Sequence, residues 1–439
     1  MNAIGKQFKG KKVTILGLGL LGKGLGDTIF FAEAGAHVTV TDLKTAKELA
    51  PSVKALKKYK NVRLVLGGHR LADFEKCDLV LKAQGTPIDS LYIAHARAHG
   101  IPIRMDDELF VSLAPKDITV VGITGTRGKT TTASLIFHIL KKSGKRVHLG
   151  GNIRGVATLS LLGKVKPGDI VVLELSSWQL QGFGESKISP HVSVFTNFMP
   201  DHMNYYNFDL KEYFSDKAHS FRHQKASDVL VAGEIIAKKI PKSHKGKLVV
   251  AHAADVPKSW KLPLAGEHNR INIALALDAC RALKIPLPKI KKAVESFKAV
   301  DGRLQYVKTV RGVKIYNDNN STTPAAAVAA LESFPAGAIV LIAGGADKGI
   351  DMKELKKAIA ERARAVVLLP GTGTEKLKTK NIEGKSFEAA SLKEALAEAM
   401  HAAQKGDVLL FSPGLASFGM FANEYDRNDQ FMALVKKLK

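Results

Sequence analysis

The stretch ITVVGITGTRGKTTTASLIFHILKKSG, residues 118–144, decides how this chain is organised. It opens as an apolar strand, turns through glycines, and continues as an amphipathic helix. A glycine-rich loop at such a junction aims backbone N–H groups at phosphate oxygens, and the helix N-terminus adds a favourable dipole. In GITGTRGKTTT, residues 122–132, Lys129 would reach the outer phosphates and the Thr130 hydroxyl would hold magnesium. Gly125, Thr126, Gly128 and Thr131 would line the same cradle. The spacing departs from the usual phosphate-loop pattern: Gly122 comes one residue too early, and Ile123 stands five before Gly128. A chance Gly-Lys-Thr turn is the alternative, and a strand before it with a helix after it argues against that.

Two more strands outward from this loop end in metal-binding chemistry. DIVVLELSS reaches its polar end at Glu174, and HVSVFTNFMPDH at Asp201-His202. Carboxylates and an imidazole at the carboxyl edge of an open α/β sheet suit a nucleotide–magnesium centre. Upstream, KKVTILGLG, HVTVTD, CDLVLKAQGTP and IPIRMD alternate with helical segments, which predicts a parallel sheet. There GLGLLG, residues 17–22, matches the dinucleotide-binding turn, with Asp42 at the end of the next strand. Downstream, KIYNDNN, AIVLIAGGADKG, AVVLLPG and DVLLFSPG are four more strand-then-loop units. The fold class expected is therefore α/β in three successive domains: residues 1–113, 114–300 and 301–439.

Composition narrows the function. At 439 residues with 45% hydrophobic and 24% charged side chains, the chain is long enough for several cores and is not disordered. Two cysteines, Cys77 and Cys280, exclude a disulfide scaffold and a cysteine-rich zinc site. No apolar run is long enough to span a bilayer. The lysines ahead of VTILGLGLLG resemble a signal peptide, but the run is glycine-dense, Lys23 interrupts it, and no small-residue cleavage site follows. The expectation is a cytoplasmic protein. The excess of 66 Lys+Arg over 41 Asp+Glu, net +25, asks for anionic partners. The basic residues are scattered over all three segments without interleaved aromatics, so nucleic acid is not expected as a partner.

Taken in order, GITGTRGKTT, ELSSWQL, FMPDHMNYY with Lys217 downstream, GEHNRIN and Asp301-Gly302-Arg303 resemble the Mur ligases, the ATP-dependent amide ligases of peptidoglycan precursor synthesis. The resemblance runs along essentially the whole chain. YNDNNSTTP, GGADKG and SPGLASFGMF look like the D-glutamate-adding branch of that family. It implies Rossmann-like first and third domains around a phosphate-loop ATPase-like centre. It also implies ATP and two magnesium ions as cofactors, and UDP-N-acetylmuramoyl-L-alanine and D-glutamate as substrates. By resemblance, Lys129, Glu174, His202 and Lys217 are catalytic, and Thr130, Glu174, His202 and Lys217 hold metal. Lys217 matches a lysine that the family carbamylates with carbon dioxide. Asn269, Asn272, Arg303 and Asp318 match nucleotide contacts. Gly19, Gly22, Asp42, Lys44, Asn152 and Ser176 match the UDP-substrate side, and Thr322, Lys348 and Ser417 the D-glutamate side. A monomer is expected.

The chain departs from the family at Leu21, where Ser or Thr is frequent, and at Leu43-Lys44, Asn320, Gly419 and Glu424-Tyr425. The competing readings are a sister ligase with another amino acid, a nicotinamide-dependent dehydrogenase built on GLGLLG, and a basic nucleic-acid-binding ATPase.

Overall fold

The computed structural model describes residues 3–20, 22–378 and 384–439. The departure at Leu21 lies outside them. Three sheets organise the chain. The first holds β1 (Lys12–Leu16), β2 (His37–Asp42), β3 (Val62–Leu66), β4 (Leu79–Lys82) and β5 (Ile103–Arg104) in the order 3-2-1-4-5, all parallel. The second holds β6 (Thr119–Thr124), β7 (Val147–Gly151), β8 (Ile170–Glu174), β9 (Val192–Phe195), β10 (Val229–Gly233) and β11 (Lys247–Ala251) in the order 11-10-9-6-8-7, again parallel.

The third sheet holds β12 (Gln305–Val310), β13 (Val313–Asn317), β14 (Ile339–Gly344), β15 (Ala363–Leu369), β16 (Ser386–Glu388) and β17 (Val408–Phe411), ordered 12-13-17-14-15-16. Here β12 and β13 form an antiparallel hairpin. Its two-residue turn is Arg311 and Gly312, at φ 51° and 80°. Positive φ at both centres matches the right-handed twist of the flanking strands.

The chain forms two compact units, one of residues 1–256 and 272–293, the other of 257–271 and 294–439. Within the first unit, one apolar core runs from the first sheet into the second, and includes Val13, Ile15, Phe31, Val40, Leu159, Val171, Leu173 and Phe183. At about 1.5–3 kcal/mol per fully buried aliphatic or aromatic side chain, this shared core packs the two sheets into one compact unit. Strands buried on both faces explain why ITVVGIT, IVVLE and VSVF read as continuous apolar runs rather than alternating ones. In the second unit, two cores lie on opposite faces of the third sheet. One is built around Leu331, Leu341 and Leu410, the other around Ile315, Leu409 and Phe431.

Candidate active site

In the second sheet β6 lies between β9 and β8, so three consecutive strands deliver their carboxyl ends side by side. The phosphate loop follows β6, Glu174 ends β8, and Asp201-His202 lies on the loop after β9. The loop conformation requires its glycines. Gly125 has φ 136°, and a methyl group there would fall 2.0 Å from Thr196 Oγ1. Gly128, at φ 81°, caps the helix Lys129–Lys142, and a methyl group there would fall 2.4 Å from Asn272 Oδ1.

The loop after β9 pins the phosphate loop from one side. Arg127 N donates to Asn197 Oδ1 (2.9 Å), Thr126 N donates to the Asn197 carbonyl (3.0 Å), and Thr196 Oγ1 donates to the Arg127 carbonyl (2.5 Å). Two lysines converge on one acceptor: the Gly125 carbonyl receives Lys129 Nζ at 3.0 Å and Lys217 Nζ at 2.9 Å. Thr130 is half-buried and Thr131 buried in the first turn behind the loop.

Glu174 is buried, with Oε1 accepting from Asn152 Nδ2 at 3.5 Å. Its Oε2 is buried with no hydrogen-bond partner among the described residues. A buried carboxylate oxygen left alone costs about 1–3 kcal/mol or more, so an unpartnered one beside a phosphate loop fits a hard cation that takes oxygen ligands. His202 has φ 54°, a left-handed conformation uncommon outside glycine. Its ring lies 4.6 Å from that of Trp178. Burial lowers its pKa; Asp201 opposes the shift, while Lys129, Lys217 and Arg127 reinforce it. A neutral imidazole offers the lone pair that a metal needs.

Lys217, on the helix Leu210–Ala218, is 1% exposed. Burial pushes its amine well below the usual lysine range and Lys129 adds to that, with Asp201 and Asp216 opposing. Its Nζ also lies 4.7 Å from the centre of the Tyr213 ring.

At the first sheet, order 3-2-1-4-5 puts the topological switch between β1 and β4, where open α/β sheets bind ligands. A cavity of about 390 Å³ lies there, with Gly17, Gly19, Asp42, Lys44, Lys82 and Gln84 in its wall. Asp42 is structurally engaged. Its Oδ2 accepts from the N–H groups of Leu18 and Gly19 (both 2.9 Å), and its Oδ1 from that of Lys44 (2.9 Å). Gly22 caps the helix Lys23–Glu33 at φ 84°. Asn152 connects the two sites, since Gln84 Nε2 donates to its Oδ1 at 3.2 Å. Ser176 caps the helix Ser177–Glu185 by accepting from Gln179 N at 3.2 Å, so its hydroxyl already has a local partner.

In the other unit, Asp318 follows β13 and Ser412 follows the adjacent β17. Asp318 accepts from Ser412 Oγ (2.8 Å) and from Leu304 N (3.0 Å). Burial pushes its carboxyl up to about 7 against those bonds and the nearby Arg303. Lys348 is exposed, and its Nζ donates to Thr322 Oγ1 at 3.4 Å; Ser417 is buried. Asn269 Nδ2 donates to the Ala265 carbonyl at 2.8 Å. Asn269 thus falls in this unit and Asn272 in the first.

Several residues that organise these sites were not singled out by motif reading. Asp107 is fully buried and accepts from Lys23 Nζ (3.0 Å), Thr158 Oγ1 (2.5 Å) and Gln179 Nε2, tying the first sheet's helices to the second's. Lys82 is 1% exposed, donates to the Thr86 carbonyl at 2.6 Å, and is lowered to about 8 by burial. Arg427 is fully buried and grips Asn319 through Oδ1 and the carbonyl (both 2.8 Å), bracing NDNNSTT from the last helix. The available signal was the position of Arg427 four residues before Phe431 and eight before Val435, on the buried face of that helix.

A parallel-sheet centre with a glycine-rich strand-to-helix loop, a buried carboxylate oxygen without a partner among the described residues and a histidine whose pKa burial lowers fits the class of nucleotide-binding α/β enzymes. Comparison with known proteins gives the family. The Mur ligase MurD-like N-terminal domain matches residues 11–105, the Mur ligase middle domain residues 123–234, and the Mur ligase glutamate ligase domain residues 302–415. The chain belongs to the Mur ligase family. It is 35% identical to the UDP-N-acetylmuramoylalanine–D-glutamate ligase of Roseiflexus sp., over 98% of this chain and 99% of that one. It is 34% identical to the ligase of the same name from Clostridium kluyveri, over 99% and 98% of the two chains. Among solved structures, MurF ligase from Thermotoga maritima in complex with ADP matches with a TM-score of 0.63 at 18% identity, covering 100% of this chain and 99% of that one. MurC from the same organism matches at 0.61 and 19%, covering 98% and 100%. At such identities the structural likeness speaks for the three-domain α/β fold.

Proposed function

We propose that this chain is the ATP-dependent ligase that joins D-glutamate to the alanine carboxylate of UDP-N-acetylmuramoyl-L-alanine. The observation that carries this reading is the buried, unpartnered Glu174 oxygen beside the phosphate loop, in a chain related over 98% of its length to ligases of that name. ATP would give its γ-phosphoryl group to the alanine carboxylate to form an acyl phosphate, leaving ADP, and the D-glutamate amine would then displace phosphate from the acyl carbon and lose a proton to form the amide; magnesium would neutralise the phosphate charge. A free carboxylate needs this activation because its leaving group would be oxide.

The protein's part is positioning and charge neutralisation. Lys129 and the N–H groups of Gly125, Gly128, Thr130 and Thr131 would neutralise phosphate charge, with Thr126, whose N–H is held by the Asn197 carbonyl, shaping the same cradle. Thr130 and Glu174 hold one magnesium, and His202 with Lys217 the second. For Lys217 the reading is a carbamate: a buried neutral amine adds carbon dioxide, releases a proton, and becomes an anion with two oxygens. Asn269, Asn272, Arg303 and Asp318 are assigned to the nucleotide. Gly19, Gly22, Asp42, Lys44, Asn152 and Ser176 are assigned to the UDP-substrate, and Thr322, Lys348 and Ser417 to D-glutamate. The assigned functional boundaries are 1–113, 114–300 and 301–439. No helix of the described residues is long and apolar enough to cross a membrane; a cytoplasmic monomer without nucleic-acid partners is the reading that goes with small anionic substrates. The net +25 favours their approach.

The test is ATP-dependent phosphate release with UDP-N-acetylmuramoyl-L-alanine and, separately, D-glutamate, L-alanine, meso-diaminopimelate and L-lysine. D-glutamate is expected to be the best acceptor, and Glu174→Gln to lose at least about 100-fold, as removal of a metal-holding charge should. Another acceptor preferred over D-glutamate refutes the substrate assignment. Thermal stabilisation by NAD and not by UDP compounds refutes the ligase reading itself.

A further inference from the structure

Outside the sites described above, the first sheet carries a separate convergence of ligating side chains. Glu75 follows the short 3-10 turn Leu71–Phe74, while His95 lies on, and His99 caps, the helix Leu91–Ala98. Their ligand atoms all lie within 4.8 Å of one another, and among the described residues this is the one group of three or more such donors. Glu174 and His202 do not form such a group, as expected for a magnesium site that draws ligands from phosphates and water.

The hydrogen bonding already prepares the rings. His99 Nδ1 lies 2.9 Å from the His95 carbonyl. A carbonyl only accepts, so Nδ1 carries the proton and Nε2 keeps its lone pair. Metal-ligating histidines are oriented in this way, by donating their other ring N–H to a carbonyl. His95 Nε2 lies 3.0 Å from Glu75 Oε1. Two ligands held about 2.0–2.1 Å from a tetrahedral ion stand about 3.3 Å apart, so an ion replacing the shared proton needs only a small opening of this pair. The two histidines are spaced i, i+4 on one helical face, and their rings are 4.4 Å apart. The cluster is reachable: His95 and Glu75 are partly exposed and His99 is exposed.

We propose that Glu75, His95 and His99 form a binding site for a divalent transition-metal ion of the zinc or cobalt class. Two imidazoles and a carboxylate suit such ions and leave a fourth position for water. Binding releases the proton that His95 Nε2 shares with Glu75. The ion clips the turn after β3 to the helix before β5. That helix also carries Tyr92, whose ring packs 4.8 Å from His69 in the wall of the 390 Å³ cavity.

The experiment is a cobalt(II) titration of the untagged full-length protein in excess magnesium, followed by visible d–d absorption and by competition with zinc. Wild type is expected to take up one ion per chain at this site, with zinc displacing cobalt. His99→Ala and Glu75→Gln are each expected to weaken that site at least about 10-fold, while ligase activity and circular dichroism stay at wild-type levels. His99 is exposed and outside the catalytic centre, so its variant folds. Absence of any site tighter than about 100 μM in wild type overturns the proposal. So does a cobalt affinity unchanged in either variant, since the ion then sits elsewhere.

Discussion

Substituting Gly125 with alanine tests the phosphate loop at its tightest point. Three costs follow from the geometry. At φ 136° the backbone occupies a region that L side chains rarely adopt, a strain of about 1–3 kcal/mol. The new methyl group would sit 2.0 Å from Thr196 Oγ1 and 3.0 Å from the Asn197 N and O atoms. Relieving that overlap costs about 1–3 kcal/mol. The simplest relief swings the Thr196 hydroxyl away from the Arg127 carbonyl, losing about 1 kcal/mol. The sum, roughly 3–7 kcal/mol, is a large part of the ~5–15 kcal/mol stability of a typical folded protein.

The Gly125 carbonyl is also the common acceptor of Lys129 and Lys217. Displacing it by about 1 Å should lower turnover about 100-fold. The first unit carries Trp178, beside His202, and the second carries Trp260, so urea unfolding can be followed in each by tryptophan fluorescence in single-tryptophan backgrounds. Gly168→Ala is the control: it has φ 81° with nothing within 4 Å of the added methyl, and should cost only about 1–2 kcal/mol. Gly125→Ala should lower the Trp178 transition well beyond that control, leave the Trp260 transition in place, and weaken ATP binding. If it stays within about 1 kcal/mol of wild type with unchanged ATP affinity, the reasoning is refuted.

Two further outcomes are expected. Lys217→Ala should lose most ligase activity, and short-chain carboxylates in the assay should restore part of it; bicarbonate depletion should slow wild type but not the variant, and a fully active variant rules out the carbamate. Asp318, raised to about 7 by burial, keeps in the folded state a proton that the unfolded chain has released. Its contribution is therefore fully present below about pH 4 and is lost as pH rises to about 7, at about 1.4 kcal/mol per pH unit. In the Trp260 transition, Asp318→Asn should remove that slope, and equal slopes in the two proteins would exclude the raised carboxyl.

The hairpin of β12 and β13 and the edge strands β11 and β16 show where sequence reading thins out. QYVKTVRGVKIYN contains a two-residue Arg-Gly turn, but only pairing with β17 reveals that β13 joins a parallel sheet while β12 runs against it. The edge strand β11 is partly exposed and β16 is only three residues long, so neither is buried along its whole length as β8 and β9 are. The readable elements are those whose local pattern and buried setting agree.

The proposed active centre divides along the same line. Phosphate-loop glycines, helix caps and polar strand ends are local chemistry, set by φ, by the absence of a side chain and by strand termination. Those local features, a glycine turn, a helix start and polar residues closing or following apolar strands, were therefore readable in sequence at Gly125, Gly128, Lys129, Glu174 and His202. Which strands become neighbours is a property of the sheet order. Only the placement of β6 between β8 and β9 brings Glu174 and His202 to the loop. The same holds for Lys217, which only the family resemblance set apart from the other lysines in the sequence and whose burial comes from its helix packing its Nζ onto the Gly125 carbonyl, 92 residues away. Asp107 and Arg427 are ordinary surface-type residues by composition. Tertiary packing made them interior anchors, because a buried charge is tolerated only where several distant partners converge on it, and local sequence does not encode that convergence.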